Sequence, residues 1–189
     1  MKPFLTHTGI VAPLLGDNID TDQIIPSREM KTVSKTGLAA GLFAGQRYIE
    51  NRKLNPDFVL NKAAYKQANI LLSGHNFGCG SSREHAVWAL KDYGFRVIIA
   101  QSFGEIFYNN CVRNGILPIQ LDKGEIAILG KKITIDLPNQ TVDGASFDIP
   151  QSDKTMLVEG LDMIDQTLTY KAEIDAFFET DRVEKAWKY

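Results

Sequence analysis

Three short apolar runs, separated by two stretches of helical spacing, constrain this chain more than any other feature. Asn69-Ile70-Leu71-Leu72-Ser73, Arg96-Val97-Ile98-Ile99-Ala100 and Ile116-Leu117-Pro118-Ile119 are too short for helices, and their apolar residues do not alternate with polar ones. Strands covered on both faces read this way, whereas half-exposed strands alternate. Between the first two runs, residues 81–93 place Ala86, Ala89, Leu90 and Tyr93 at i, i+3, i+4 and i+7, and Gly94 follows as a stop. Between the second and third, residues 104–114 read as a helix ended by Gly115. A β-α-β-α-β order predicts a parallel sheet with right-handed crossovers and a ligand site at the carboxyl ends of its strands. The turn from His75 to Gly80 is one of those ends.

The flanks carry weaker signals. Residues 1–16 read as a strand region, Asp17-Asn18-Ile19-Asp20-Thr21-Asp22 as an acidic turn, and Gln23-Ile24-Ile25-Pro26 as a short extended piece stopped by proline. Residues 27–45 read as a long loop with a short helix near 38–44, a length that is usually functional or disordered. Residues 124–149 alternate with period two, which predicts an antiparallel hairpin or meander. Residues 161–189 return to helical spacing with a narrow apolar face at Ile174, Phe177 and Phe178. With 189 residues, one domain is expected. A formal net charge of -2 without a basic stripe argues against a nucleic-acid partner. No apolar run spans a bilayer and no apolar signal core opens the chain, so a reduced, cytoplasmic setting without membrane contact is expected. Two cysteines, Cys79 and Cys111, and three scattered histidines, His7, His75 and His85, give no metal-ligand spacing.

The chemistry concentrates in Asn76-Phe77-Gly78-Cys79-Gly80-Ser81-Ser82-Arg83-Glu84-His85. Physically this is a strand end, a glycine turn and a helix start bearing two serines and an arginine. Glycine lets backbone N–H groups approach a ligand, and a helix start adds unpaired donors and partial positive charge. Such a cradle stabilises an oxyanion, either a bound carboxylate or a deprotonated serine. Ser81-x-x-Glu84 equally reads as a capping box with Ser81 as N-cap, and the pattern by itself leaves both readings open. The spacing is neither a Walker loop nor a dinucleotide fingerprint, since no Gly-Lys-Ser/Thr closes it and Arg83 stands where a third glycine belongs.

This string closely resembles the active-site sequence of the isopropylmalate dehydratase small-subunit family, in the aconitase superfamily. Four further segments resemble that family in order: Asp17 through Pro26, Asn55-Pro56-Asp57-Phe58-Val59-Leu60-Asn61, Ser102 through Asn110 with Gly115-Ile116-Leu117-Pro118, and Gly160-Leu161-Asp162-x-Ile164.

The resemblance implies an α/β fold of the swivelling β/β/α type, with mixed parallel and antiparallel sheet and flanking helices. It implies a hydro-lyase that isomerises 2-isopropylmalate to 3-isopropylmalate through isopropylmaleate, in leucine biosynthesis. It implies activity only with a large subunit, which carries a [4Fe–4S] cluster as Lewis acid on the departing hydroxyl, while this chain binds no metal. Sister enzymes acting on homoaconitate, citraconate or methylmalate are the alternative, and a non-catalytic anion-binding module is the remote one. By the same resemblance Ser81 is the base and Arg83 grips a carboxylate of the dicarboxylate substrate. Ser82 and the Gly80 amide add hydrogen bonds, and Arg28 or Lys35 supplies a second cation. Asp20, Asp22, Asn76, Gly78, Glu84 and His85 support the site, Cys79 packs, and Trp88 and Phe103 belong to the core. The loop 27–45 lies near the substrate's variable side chain. Where many bacterial relatives have an aromatic or leucine pair after Pro26, this chain has Ser27-Arg28-Glu29-Met30, which would bring the charge of Glu29 toward an alkyl group.

Overall fold

The computed structural model describes residues 1–31 and 34–188. Seven strands form one sheet in the order β4-β3-β2-β1-β5-β6-β7. The strands are β1 (Thr6–Leu14), β2 (Ile70–Ser73), β3 (Val97–Ala100), β4 (Leu117–Gln120), β5 (Lys132–Asp136), β6 (Thr141–Val142) and β7 (Ala145–Ser146). The helices are α1 (Thr21–Ile24), α2 (Ala44–Arg47), α3 (Glu84–Tyr93), α4 (Glu105–Arg113), α5 (Lys123–Ile128), α6 (Gln151–Glu159), α7 (Met163–Leu168) and α8 (Lys171–Glu184).

Strand β1 joins the two halves of the sheet. Its first half, Thr6 to Ile10, runs antiparallel to β5, and its second half, Val11 to Leu14, runs parallel to β2. The parallel block β1-β2-β3-β4 follows from the apolar runs. Leu71 and Ile98 face one apolar layer with Ala86, Leu90, Phe107 and Cys111, while Ile70, Leu72, Val97 and Ile99 face the other with Ile133, Ile135 and Leu157. Burial on both faces is why these strands show no alternation. Period two does appear in β5, where Ile133 and Ile135 are buried and Lys132 and Thr134 exposed.

Several local expectations change. Gln23 and Ile24 lie in the short helix α1, not in an extended piece, because the Asp20 carboxylate caps it by accepting from the Gln23 N–H at 2.7 Å. The expected helix near 38–44 splits into a 3-10 turn at Ala39–Gly41 and the start of α2, since Phe43 takes a left-handed conformation between them. Leu38, Leu42 and Phe43 of the loop are buried, so this segment is anchored in the core. Thr32 and Val33 of that loop, and Tyr189 of the tail, lie outside the described residues. Residues 123–128 form α5, not part of the hairpin, fixed by a reciprocal capping box between Asp122 and Glu125. Phe177 and Phe178 of the tail are exposed.

One half-buried group on β1 makes stability depend on pH. Burial lowers the pKa of His7 from its ordinary 6.5, with the charges of Arg96 and Lys2 adding to the effect and the nearby Asn69 side chain opposing it. The fold therefore keeps His7 neutral where the unfolded chain takes up a proton. Stability is full above about pH 6.5 and falls as pH drops toward the folded value. Urea midpoints measured from about pH 7.5 to 5 should fall more steeply for the natural chain than for His7→Leu. Parallel curves would remove this account.

Candidate active site

The loops that leave β1, β2 and β3 converge at the carboxyl end of the parallel block. Backbone hydrogen bonds tie them to one another: Gly78 N–H donates to Ile19 at 2.7 Å, Thr21 N–H to Cys79 at 3.0 Å, and Phe77 N–H to Ser102 at 2.9 Å. They enclose a hollow of about 260 Å3 lined by Thr21, Cys79, Gly80, Ser81, Arg83 and Ile106, among others. Gly78, with φ of +74°, lets the chain pass over the ring of Phe107, where a Cβ would lie 2.2 Å from Cγ.

Ser81 is exposed at this hollow, and it is not a helix cap. Helix α3 begins only at Glu84, its N-cap residue is Arg83, and no side chain caps it. The capping-box reading therefore fails, because Ser81 and Ser82 lie in the turn before the helix. Glu84 is engaged elsewhere, accepting from Asn114 Nδ2 at 2.8 Å and Trp88 Nε1 at 3.2 Å. Burial works against the ionised form of Glu84, but these hydrogen bonds, with the charges of Lys35 and Arg113, hold it below the usual carboxylate range. The donor set of the turn is narrower than the string suggested, because the Gly78 N–H is spent on Ile19. Among the described residues none accepts from the backbone N–H groups of Gly80, Ser81 or Ser82. Those three amides are free for an anion.

Arg83 is oriented from α1. Its guanidinium donates to the Asp22 carboxylate and to Ser27 Oγ at 3.1 Å, and Ser27 Oγ in turn donates to Asp22 at 3.3 Å. Asp20 caps α1, and Asn76, in a left-handed conformation, donates from Nδ2 to Asn18 at 2.8 Å. His85 stacks obliquely on Trp88 with ring centres 4.6 Å apart. A second hollow of about 610 Å3 adjoins the first and is lined by Met30, Ser82, Arg83, His85 and Trp88, among others.

The structure thus brings Ser81, Ser82, Arg83, Gly80, Gly78, Asp20, Asp22 and Asn76 together. It does not bring Arg28 or Lys35 into the Ser81 hollow. Arg28 lies 3.8 Å from Glu29 and lines a separate basic hollow with Tyr48 and Arg52. Lys35 sits over Trp88, 3.9 Å from Glu84. The Glu29 side chain, 11% exposed, turns to Arg52 at 3.0 Å, so its charge is neutralised away from the hollow. Trp88 and Phe103 are half-buried. Cys79 lines the hollow instead of packing in the core. Cys111 is fully buried, which pushes its thiol pKa up. Two thiols so disposed do not fit an iron–sulfur cluster, which needs three accessible thiolates on one face. Among the described residues no three His, Cys, Asp or Glu side chains are grouped to hold a metal.

Sequence reasoning missed Thr21. Its hydroxyl, 1% exposed, donates to the Ser81 carbonyl at 3.0 Å and so fixes the backbone that presents the serine. Nothing in an Asp-Thr-Asp turn announces this, because the contact joins residues 60 positions apart.

The first 124 residues match the family model of the aconitase C-terminal domain. The chain is 50% identical to a 3-isopropylmalate dehydratase small subunit of Cupriavidus necator, over 99% of this chain and 98% of that protein. The chain belongs to the isopropylmalate dehydratase small-subunit family. Another small subunit of this family, from Halalkalibacterium halodurans, is 51% identical over 97% of this chain and all of its own length. Among solved structures, 3-isopropylmalate dehydratase from Methanocaldococcus jannaschii superposes with a TM-score of 0.68 at 27% identity, covering 91% of this chain and 99% of that one. Membership accounts for the fold, a mixed parallel and antiparallel sheet with flanking helices. Among the described residues no helix is long and apolar enough to cross a membrane.

The Asp22–Arg83 contact carries a prediction for this family site. Asp22→Asn removes the charge that aims the guanidinium and leaves the hydrogen-bonding shape. In the assembled enzyme it should raise KM about tenfold with a smaller change in kcat, the loss expected of one charge-assisted hydrogen bond. Steady-state kinetics decide it, and an unchanged KM would remove Asp22 from the site.

Proposed function

We propose that this chain is the small subunit of a cytoplasmic, two-subunit hydro-lyase that isomerises 2-isopropylmalate to 3-isopropylmalate through isopropylmaleate. The observation that carries the mechanism is the state of Ser81: exposed in a hollow, free of any capping duty, and flanked by three unspent amides and a guanidinium. A serine hydroxyl is a poor base at its ordinary pKa, so the site has to favour the alkoxide. The amides of Gly80 to Ser82 and the cation of Arg83 do so in the same way that an oxyanion hole favours developing charge.

The base then takes the proton from the carbon next to the one bearing the hydroxyl. The C–H electron pair forms the double bond, and the hydroxyl leaves from the neighbouring carbon. Arg83, aimed by Asp22, holds one substrate carboxylate in a fork, and Ser82 adds a hydrogen bond. The reverse delivery of water to the other carbon completes the isomerisation. The cysteines of this chain do not fit a cluster, so a [4Fe–4S] cluster would be held by the partner large subunit, where it would act as Lewis acid toward the hydroxyl.

The homoaconitate alternative needs an anchor for a third carboxylate. Arg28 and Lys35 both lie outside the Ser81 hollow, which favours a dicarboxylate. The test is reconstitution. The isolated chain should be colourless and inactive. Mixed with its large subunit it should interconvert the isopropylmalates in preference to homoaconitate, citraconate or methylmalate. Turnover by the isolated chain, or preference for a tricarboxylate, would overturn the reading.

A further inference from the structure

Asn114, at the carboxyl end of α4, is almost wholly buried, and its side chain makes four hydrogen bonds. Its Nδ2 donates to Glu84 Oε1 at 2.8 Å and to the Asn110 carbonyl at 2.9 Å. Its Oδ1 accepts from Trp88 Nε1 at 3.1 Å and from Lys35 Nζ at 3.4 Å. One amide thus ties together the first turn of α3, the Trp88 ring that lines the second hollow, and Lys35 of the long loop. A buried amide with every donor and acceptor engaged fixes its partners more tightly than an apolar contact, since releasing any one leaves a buried polar group unpaired.

We propose that Asn114 is a positioning residue for the carboxylate-gripping side of the site: through Glu84 it fixes the start of α3, and with it Arg83 and Ser82. The proposal rests on the reading that Arg83 holds substrate. The geometry separates this side from the base. The Ser81 backbone is held by Thr21 from α1, and the Glu84 carboxylate by Asn114 at the end of α4, so the two tethers come from different elements. Loosening the Asn114 tether should weaken substrate binding and spare the proton transfer.

A swap of donor and acceptor tests it. Asn114→Asp sets two carboxylates at hydrogen-bond distance in place of an amide and a carboxylate. Its KM in the assembled enzyme should rise about tenfold or more with kcat held within about threefold. Adding Glu84→Gln restores a donor opposite an acceptor with the roles reversed, and should return KM to within about threefold of the natural value. The isolated chain gives an independent readout. The sequence has two tryptophans, and in a Trp187→Phe background Trp88 is the sole emitter. Its emission should shift to the red in Asn114→Asp and return in the double variant. If Asn114→Asp does not fold, Glu84→Leu, at a side chain 41% exposed, cuts the same link from the helix and must give the same rise in KM with kcat kept. A KM that does not move, a fall confined to kcat, or a double variant no better than Asn114→Asp overturns the inference. The emission readout still stands if the reconstituted natural enzyme itself proves inactive on isopropylmalate, so failure of the functional reading is recognised separately.

Discussion

Replacing Ser81 by alanine is expected to lower kcat of the assembled enzyme by about 10³-fold, with KM within about threefold of the natural value. The side chain is exposed and caps no helix, so its removal leaves packing and backbone hydrogen bonds intact. The unfolding free energy of the isolated chain, from urea denaturation, should accordingly stay within about 0.5 kcal/mol of the natural value. What is lost is the only hydroxyl of this string placed in the first hollow beside the free amides. Ser82→Ala provides the contrast. Ser82 lines the neighbouring hollow with Arg83, so its loss should act mainly on KM. If Ser81→Ala retained turnover within about tenfold, the proton would be moved by another group, and the assignment of the base would be lost.

Gly78→Ala should destabilise the isolated chain by about 3 kcal/mol or more, through backbone strain of about 1–3 kcal/mol and overpacking of similar size. Gly78 sits at φ of +74°, a region that non-glycine residues rarely adopt, and its added Cβ would fall 2.2 Å from Phe107 Cγ. Neither the turn nor the ring moves freely. The Gly78 N–H is bonded to Ile19, and a Cβ at Gly104 would meet the Gly78 carbonyl at 2.7 Å, which marks how closely the neighbouring loop is drawn in. Phe107→Leu should recover part of the loss by opening space, and the rest should persist as the conformational cost of the left-handed backbone. Urea denaturation of the two single variants and the double separates the contributions. A Gly78→Ala chain of natural stability would mean that the turn rearranges readily, and the amide cradle would then lack the rigidity that the mechanism requires.

The parallel half of the fold was legible because its strands are covered on both faces, and uninterrupted apolar runs have few other structural solutions. The glycine stops at Gly94 and Gly115 fixed the helix ends for a local reason, the left-handed residue that ends or follows each helix. Helix α5 was missed although Asp122-x-x-Glu125 announced it, because the alternation downstream was extended too far back. At Ser81 the local pattern was ambiguous: a capping box and an anion cradle share the same residues. The resemblance to a family implied the roles, and the three-dimensional course of the turn resolved the capping question, by starting α3 two residues later than a Ser81 cap would.

The sequence by itself determined the β-α-β-α-β block, the position of the glycine turn at a strand's carboxyl end, and the family whose active-site string it matches. These are local properties, carried by periodicity, glycine and the order of residues within one segment. Only the tertiary structure decided which side chains meet. It joined Asp22 to Arg83, Thr21 to Ser81 and Asn114 to Glu84, and it drew Arg28, Glu29 and Lys35 away from the Ser81 hollow. Such pairings depend on how loops from separate strands converge across 30 to 61 positions of chain. Backbone packing sets that convergence, and no residue carries it alone.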